Sequence, residues 1–265
     1  MARKSALRLI LATSCLCLLA RPACAQAVVN TCAGTNQTGS SVANVSCSAG
    51  IAMTSGNMIL VACRDGNNTG SSKQTAPTDT VNTYSLVTGT FVGPNGNSAG
   101  EISWFKALAA SSATLTPRCN FSPSQPYDTI VAVQISGANT TGVTNTASCT
   151  NACSTPLTSG SVGPSHSGEM VLTFGTYANN NLTWSAAPIL GTNGTLTKCA
   201  NGTTGGDSCA EYRATGSGSG TAAIALATNN NTWLLATMSV YQTSGGTTPA
   251  GSKLKKLLSL DPQID

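Results

Sequence analysis

Charge is scarce in this chain. Only 8% of its 265 residues are Asp, Glu, Lys or Arg, against roughly a quarter in an average globular protein. Histidine occurs once, as His166, and no C-x-x-C is present. No segment before residue 242 sustains a 3.6-residue apolar period, which excludes a helical body. One histidine without C-x-x-C pairs leaves zinc too few ligands. Sparse charge also leaves few cations to displace phosphate counterions, which argues against nucleic-acid binding. The formal charge of +4 is misleading. Residues 1–25 read as a secretory signal, with Arg3, Lys4 and Arg8, an apolar run from Leu9 to Ala20, and Ala23-Cys24-Ala25 before Gln26. Without that leader nine basic residues face nine acidic ones, so recruitment to anionic lipid is unsupported as well. No membrane span is expected once the signal is removed.

Eight cysteines remain beyond the leader: Cys32, Cys47, Cys63, Cys119, Cys149, Cys153, Cys199 and Cys209. An even number after an export signal reads as disulfides in an extracellular or periplasmic compartment. Sequence alone leaves the connectivity open. The simplest pairing is local: Cys32–Cys47, Cys63–Cys119, Cys149–Cys153 and Cys199–Cys209.

In place of charge the chain carries Ser, Thr, Asn and Gly, interrupted by short apolar runs. One run occurs twice. Gly56-Asn57-Met58-Ile59-Leu60 returns as Gly168-Glu169-Met170-Val171-Leu172, each entered from a Ser-Gly pair. Thr129–Ile135 is echoed by Leu234–Val240, and Trp104-Phe105-Lys106-Ala107 is set against Glu211-Tyr212-Arg213-Ala214. Self-similarity of this kind implies one supersecondary unit used twice. The half-repeats are placed at about 50–138 and 162–242 of a domain spanning 26–242, with Met58 and Met170 in a shared interior. Met58–Cys63 is apolar throughout and should be covered on both faces. Val28–Cys32 and Ser41–Cys47 are read as an edge pair, Asp65–Asp79 as a loop, Val81–Val87 as a strand, and Gly137–Pro156 as a polar connector. Residues 243–265 form a linker and tail, in which Lys253–Leu260 reads either as a short amphipathic helix or as a frayed end. The expected fold is all-β, an antiparallel β-sandwich built from two similar halves.

The segments Gly56–Val61, Asn82-Thr83-Tyr84, Trp104–Ala107, Ile130–Val133, Ser167–Leu172, Thr183-Trp184 and Trp233–Ala236 occur in an order that resembles a jelly-roll-like β-sandwich domain of secreted and surface-associated bacterial proteins. The resemblance spans about residues 50–242. It implies binding or display at the cell surface rather than catalysis, and it brings no catalytic motif and no cofactor.

Few residues single themselves out for chemistry. A Ser-His-Asp triad would have to use His166, and in so Ser-rich a chain no serine stands out beside it. Histidine-free glycoside hydrolysis needs two carboxylates, for which the candidates are Asp65, Asp79, Glu101, Asp128, Glu169, Asp207 and Glu211. Glu101 and Glu211 are read as near-equivalent repeat positions. Asp65 and Asn67 offer oxygen ligands for calcium on a Gly-rich loop, where an ordinary Asx turn is the competing reading. Trp184 and Trp233 follow the Asn triplets 179–181 and 229–231. A ring beside amides suits a sugar, ring on ring face and amide on hydroxyl. Trp184, Trp233, Tyr177, Tyr84, Asn181 and Asn231 are therefore the ligand candidates, with extracellular carbohydrate as the expected ligand. The alternatives are a structural or adhesive component with a surface-protein partner, and a glycan hydrolase.

Overall fold

The computed structural model describes residues 26–36, 39–66, 74–92, 100–149, 157–162, 166, 169–177, 195–200, 208–214, 220–224 and 233–243. Residues 1–25, read as a secretory signal, and Lys253–Leu260 lie outside them. The described residues are all-β, with no helix. The first half holds β1 (Ala27–Thr35), β2 (Val42–Ser46), β3 (Ile51–Ala52), β4 (Met58–Asp65), β5 (Gln74–Thr78), β6 (Ser85–Leu86), β7 (Glu101–Leu108), β8 (Thr114–Leu115), β9 (Arg118–Gln125) and β10 (Thr129–Ser136). The second holds β11 (Thr140–Cys149), β12 (Leu157–Val162), β13 (Met170–Tyr177), β14 (Thr195–Ala200), β15 (Ser208–Ala214), β16 (Gly220–Ile224) and β17 (Trp233–Tyr241).

Two five-stranded antiparallel sheets carry the architecture, ordered β1-β10-β4-β7-β6 and β11-β17-β13-β15-β14. Strand for strand, and in the same chain order, the second repeats the first. The smaller pairing β2-β9 likewise returns as β12-β16. The duplication is thus visible in the hydrogen bonding. Met58 pairs with Ile135 and Met170 with Val240, as the sequence echo requires. The two sheets pack face to face. Met58, Leu60, Val131, Val133 and Trp104 share one core with Met170, Leu172, Phe174, Ala236 and Met238.

The echo around Trp104 is off by one residue. Met58 pairs with Leu108 and Met170 with Ala214, so Leu108 and Ala214 are counterparts. Counting back, Phe105 answers Glu211 and Trp104 answers Ala210. A one-residue slip exchanges the two faces of a strand; in the corrected register Phe105, four residues beyond Glu101, answers Glu211, so the two glutamates are not equivalent. The corrected register explains the packing. On the first sheet Trp104 lies opposite Ala62; on the second Phe174 lies opposite Ala210. Large and small residues have changed strands between the halves. The two rings meet edge to face across the interface, with centroids 5.8 Å apart.

The first sheet is buried on its other face too. Every residue of β4 is buried, as its unbroken apolar run predicts. Its cover is a layer made of the sheet β2-β9-β5 and the pair β3-β8. Val45, Leu115 and Phe121 of that layer pack on Ile59, Val61, Phe105 and Ala132. The expected edge pair is not formed. β1 pairs with β10 and β2 with β9, and Cys32–Cys47 joins the two layers instead. Cys63–Cys119 does the same between β4 and β9. Both agree with local pairing. Gly34 sits at this crossing, where a Cβ would overlap the Ser46 carbonyl. So small a cover layer cannot bury much surface by itself, and the bridges hold it down. The Cys32→Ala, Cys47→Ala double variant is therefore expected to lose about 3 kcal/mol for its 15-residue separation. Urea titrations of both proteins, each extrapolated with its own slope because removing the crosslink expands the unfolded chain, would measure it, and a loss below about 1 kcal/mol would contradict the role given to the bridge.

Other expectations change. The 137–156 connector contains β11, the edge strand of the second sheet, and the loop 65–79 contains β5. The strand at 81–87 shrinks to β6. Pro117 stands between β8 and β9, because proline cannot donate to a ladder.

A hydroxyl-lined cavity as candidate functional site

The outer surface of the cover layer holds a cavity of about 400 Å³. It is built from one register row. Ser46 on β2 and Thr78 on β5 both pair with Arg118 on β9. Alternation along β9 sends Cys119 and Phe121 into the core and leaves Arg118 exposed. Thr114, Leu115 and Thr116 close one side, and Asp79 and Thr80 the other. The surface offered is five hydroxyls, one buried leucine and one guanidinium. Arg118 Nη2 lies 3.5 Å from Thr78 Oγ1, at the limit of a hydrogen bond. Thr78 Oγ1 also accepts from the Asn120 amide at 3.2 Å.

Asp79 is committed to its own turn. Oδ1 accepts the Val81 and Asn82 backbone N–H groups at 2.8 and 2.6 Å. Oδ2 accepts the Asn82 amide at 2.8 Å and the Tyr84 hydroxyl at 2.7 Å. Burial pushes this carboxyl up, but the four hydrogen bonds outweigh it and hold Asp79 below the usual carboxylate range. Burial, together with the bond to Asp79 and its negative charge, drives the Tyr84 phenol strongly upward. Tyr84 therefore anchors Asp79. Its ring is 5% exposed and packs in the core beneath the cover layer, so it presents no face to a ligand, contrary to its place among the ligand candidates.

Of the other candidates, Trp184, Asn181, Asn231, Asn67 and Asp207 lie outside the described residues. Tyr177 and Trp233 are register partners, and Trp233 pairs with Cys149 on its other side. Positions 177 and 233 are thus adjacent in register at one end of the second sheet. Cys199 pairs in register with Cys209, which is disulfide-bonded.

Most of the described carboxylates are buried. Asp65, Glu101, Asp128, Glu169 and Glu211 are each at most 1% exposed. Asp65 and Glu101 are register partners on β4 and β7, near Arg64, whose Nη1 donates to the Tyr127 carbonyl at 2.5 Å. Tyr127 has φ 55°, a left-handed conformation that costs a non-glycine residue energy. Burial raises Asp128 to about 8, and Asp65 adds to the rise against Arg64, the Asn36 amide and the Gly66 N–H. Among the described residues no three His, Cys, Asp or Glu side chains are grouped so as to hold a metal. His166 donates its backbone N–H to Glu169 Oε2 at 2.9 Å and stacks on Tyr241 with centroids 3.8 Å apart. Gly96-Asn97-Ser98-Ala99-Gly100 has the spacing of a nucleophile elbow. However, β7 follows it, whereas the elbow runs from strand into helix. Residues 93–99 lie outside the described ones.

Sequence reasoning did not find Arg118 or the threonines around it. The signal present was scarcity itself: an arginine inside the strand-forming stretch Thr116-Pro117-Arg118-Cys119 of a chain with few charges. Among the described residues no helix is long and apolar enough to cross a membrane. No family model, curated protein or solved structure matches the chain.

Proposed function

We propose that this is an exported, non-catalytic protein of the jelly-roll-like kind that binds extracellular carbohydrate, with the cavity between β2, β5, β8 and β9 as its binding site. One observation carries this reading: Ser46, Thr78, Thr80, Thr114 and Thr116 line a single cavity with Leu115 and Arg118. Hydroxyls donate to and accept from sugar hydroxyls, and a guanidinium donates to them. The site rests on strands clamped to the first sheet by two disulfides, and rigid placement limits the ordering cost of binding.

A glycan array probed with the full chain, the Thr78→Leu, Thr116→Leu double variant, and Trp184→Ala with Trp233→Ala tests it. The expected result is binding to a defined set of glycans that weakens at least tenfold in the threonine variant. The threonines are exposed, so that variant keeps its fold, which a thermal melt verifies. Absence of binding to any glycan overturns the reading. Loss only in the tryptophan variants keeps the ligand class and moves the site away from the cavity.

A further inference from the structure

Resting on the carbohydrate reading, the geometry points to an acidic saccharide: the cavity takes a sugar that carries a carboxylate, and Arg118 is the group that receives it. Two charged residues line the cavity, and they differ in what they leave available. Both oxygens of Asp79 are taken up by four donors from its own turn. Its hydrogen-bonding capacity is spent before a ligand arrives. Arg118 stands on the exposed face of β9 and, among the described residues, pairs with no carboxylate; its hydroxyl neighbour Thr78 is at 3.5 Å. A guanidinium offers five N–H donors in a planar fork that matches the two oxygens of a carboxylate. Ser46 and Thr78 flank it as its register partners, so a carboxylate seated on the fork brings the neighbouring sugar hydroxyls onto protein hydroxyls. A neutral sugar would offer the fork only single hydroxyl acceptors, without the opposite charge and the paired oxygens of a carboxylate.

The test is calorimetric titration of the full chain. The panel consists of tetrasaccharides of galacturonate, glucuronate, mannuronate and guluronate, each paired with its carboxyl-reduced neutral counterpart. At least one uronate should bind ten or more times more tightly than its counterpart. That affinity should fall on raising salt from 50 to 500 mM. Arg118→Gln should remove at least 90% of it, and Arg118→Lys, which keeps the charge but not the fork, should fall between. The exposed position of Arg118 predicts an unchanged melting temperature in both variants. Binding of uronate and neutral counterpart within threefold overturns the acidic class while leaving carbohydrate binding intact. Uronate binding that survives Arg118→Gln overturns the role of Arg118. No binding by any member of the panel overturns both.

Discussion

Trp104→Ala is expected to destabilise the protein by about 5 kcal/mol, which is a large share of the roughly 5–15 kcal/mol that holds a typical domain folded. Three losses add together. The indole is fully buried among residues of both sheets, so its removal opens a cavity that facing strands cannot collapse into without breaking their ladders. Its Nε1–H donates to the Ala236 carbonyl on β17 at 3.1 Å, and truncation leaves that buried acceptor without this donor. The edge-to-face contact with Phe174 disappears as well. A urea titration of wild type and variant gives the difference. Phe174→Ala alone should cost about 3–4 kcal/mol. The double variant should cost less than the sum by about 0.5–1.5 kcal/mol, because the two rings touch. A loss under about 1.5 kcal/mol for Trp104→Ala would mean that the two sheets do not close on this residue.

That ring also marks how far the sequence could be read. Met58–Cys63 announced a doubly covered strand because no polar residue interrupts it, and β4 is buried from end to end. The correspondence of the two methionine runs followed from repetition. The relation of Trp104 to its counterpart did not, because duplication preserved the backbone and exchanged the side chains. Ala62 and Trp104 became Phe174 and Ala210, so an alignment seeking like residues slips by one. Strands escaped notice for a related reason. β11 reads Thr140-Thr141-Gly142-Val143-Thr144-Asn145-Thr146, without alternation, because only one of its edges is paired. β5 contains Pro77 and survives as an edge strand. The misread pair β1 and β2 shows the bias of local reasoning. Neighbours in sequence were taken as partners, whereas β1 pairs with β10 across the whole first half. The cavity was least legible of all. Ser46, Thr78 and Arg118 come from three strands far apart in sequence, and only the register brings them into one row.

Stability should fall as pH rises from about 4 to about 8, and Asp128 is the cause. The residue is fully buried and its pKa is raised from 3.8 to about 8, by burial first and by the charge of Asp65 second. Below 3.8 the carboxyl is protonated in both folded and unfolded chains, so no penalty arises. Between 3.8 and about 8 the unfolded chain releases a proton that the folded chain keeps. Each pH unit there favours unfolding by up to about 1.4 kcal/mol. Above 8 the curve flattens. Allowing for relaxation around a buried group, the full span is on the order of 4 kcal/mol. Asp128→Asn removes the titration while keeping the shape. The variant should match the wild type or trail it slightly at pH 4, and exceed it by about 4 kcal/mol at pH 8.5. Urea titrations at half-unit intervals would give both curves, and their difference isolates this group from every other that titrates. Asp65→Asn supplies an independent arm. With the neighbouring charge gone, the folded-state pKa of Asp128 should fall, so the decline should still begin near 3.8 but flatten at a lower pH with a smaller total loss. A wild-type curve that runs parallel to that of Asp128→Asn across the window would show that Asp128 is ionised in the fold, and that Arg64 and the Asn36 amide outweigh its burial.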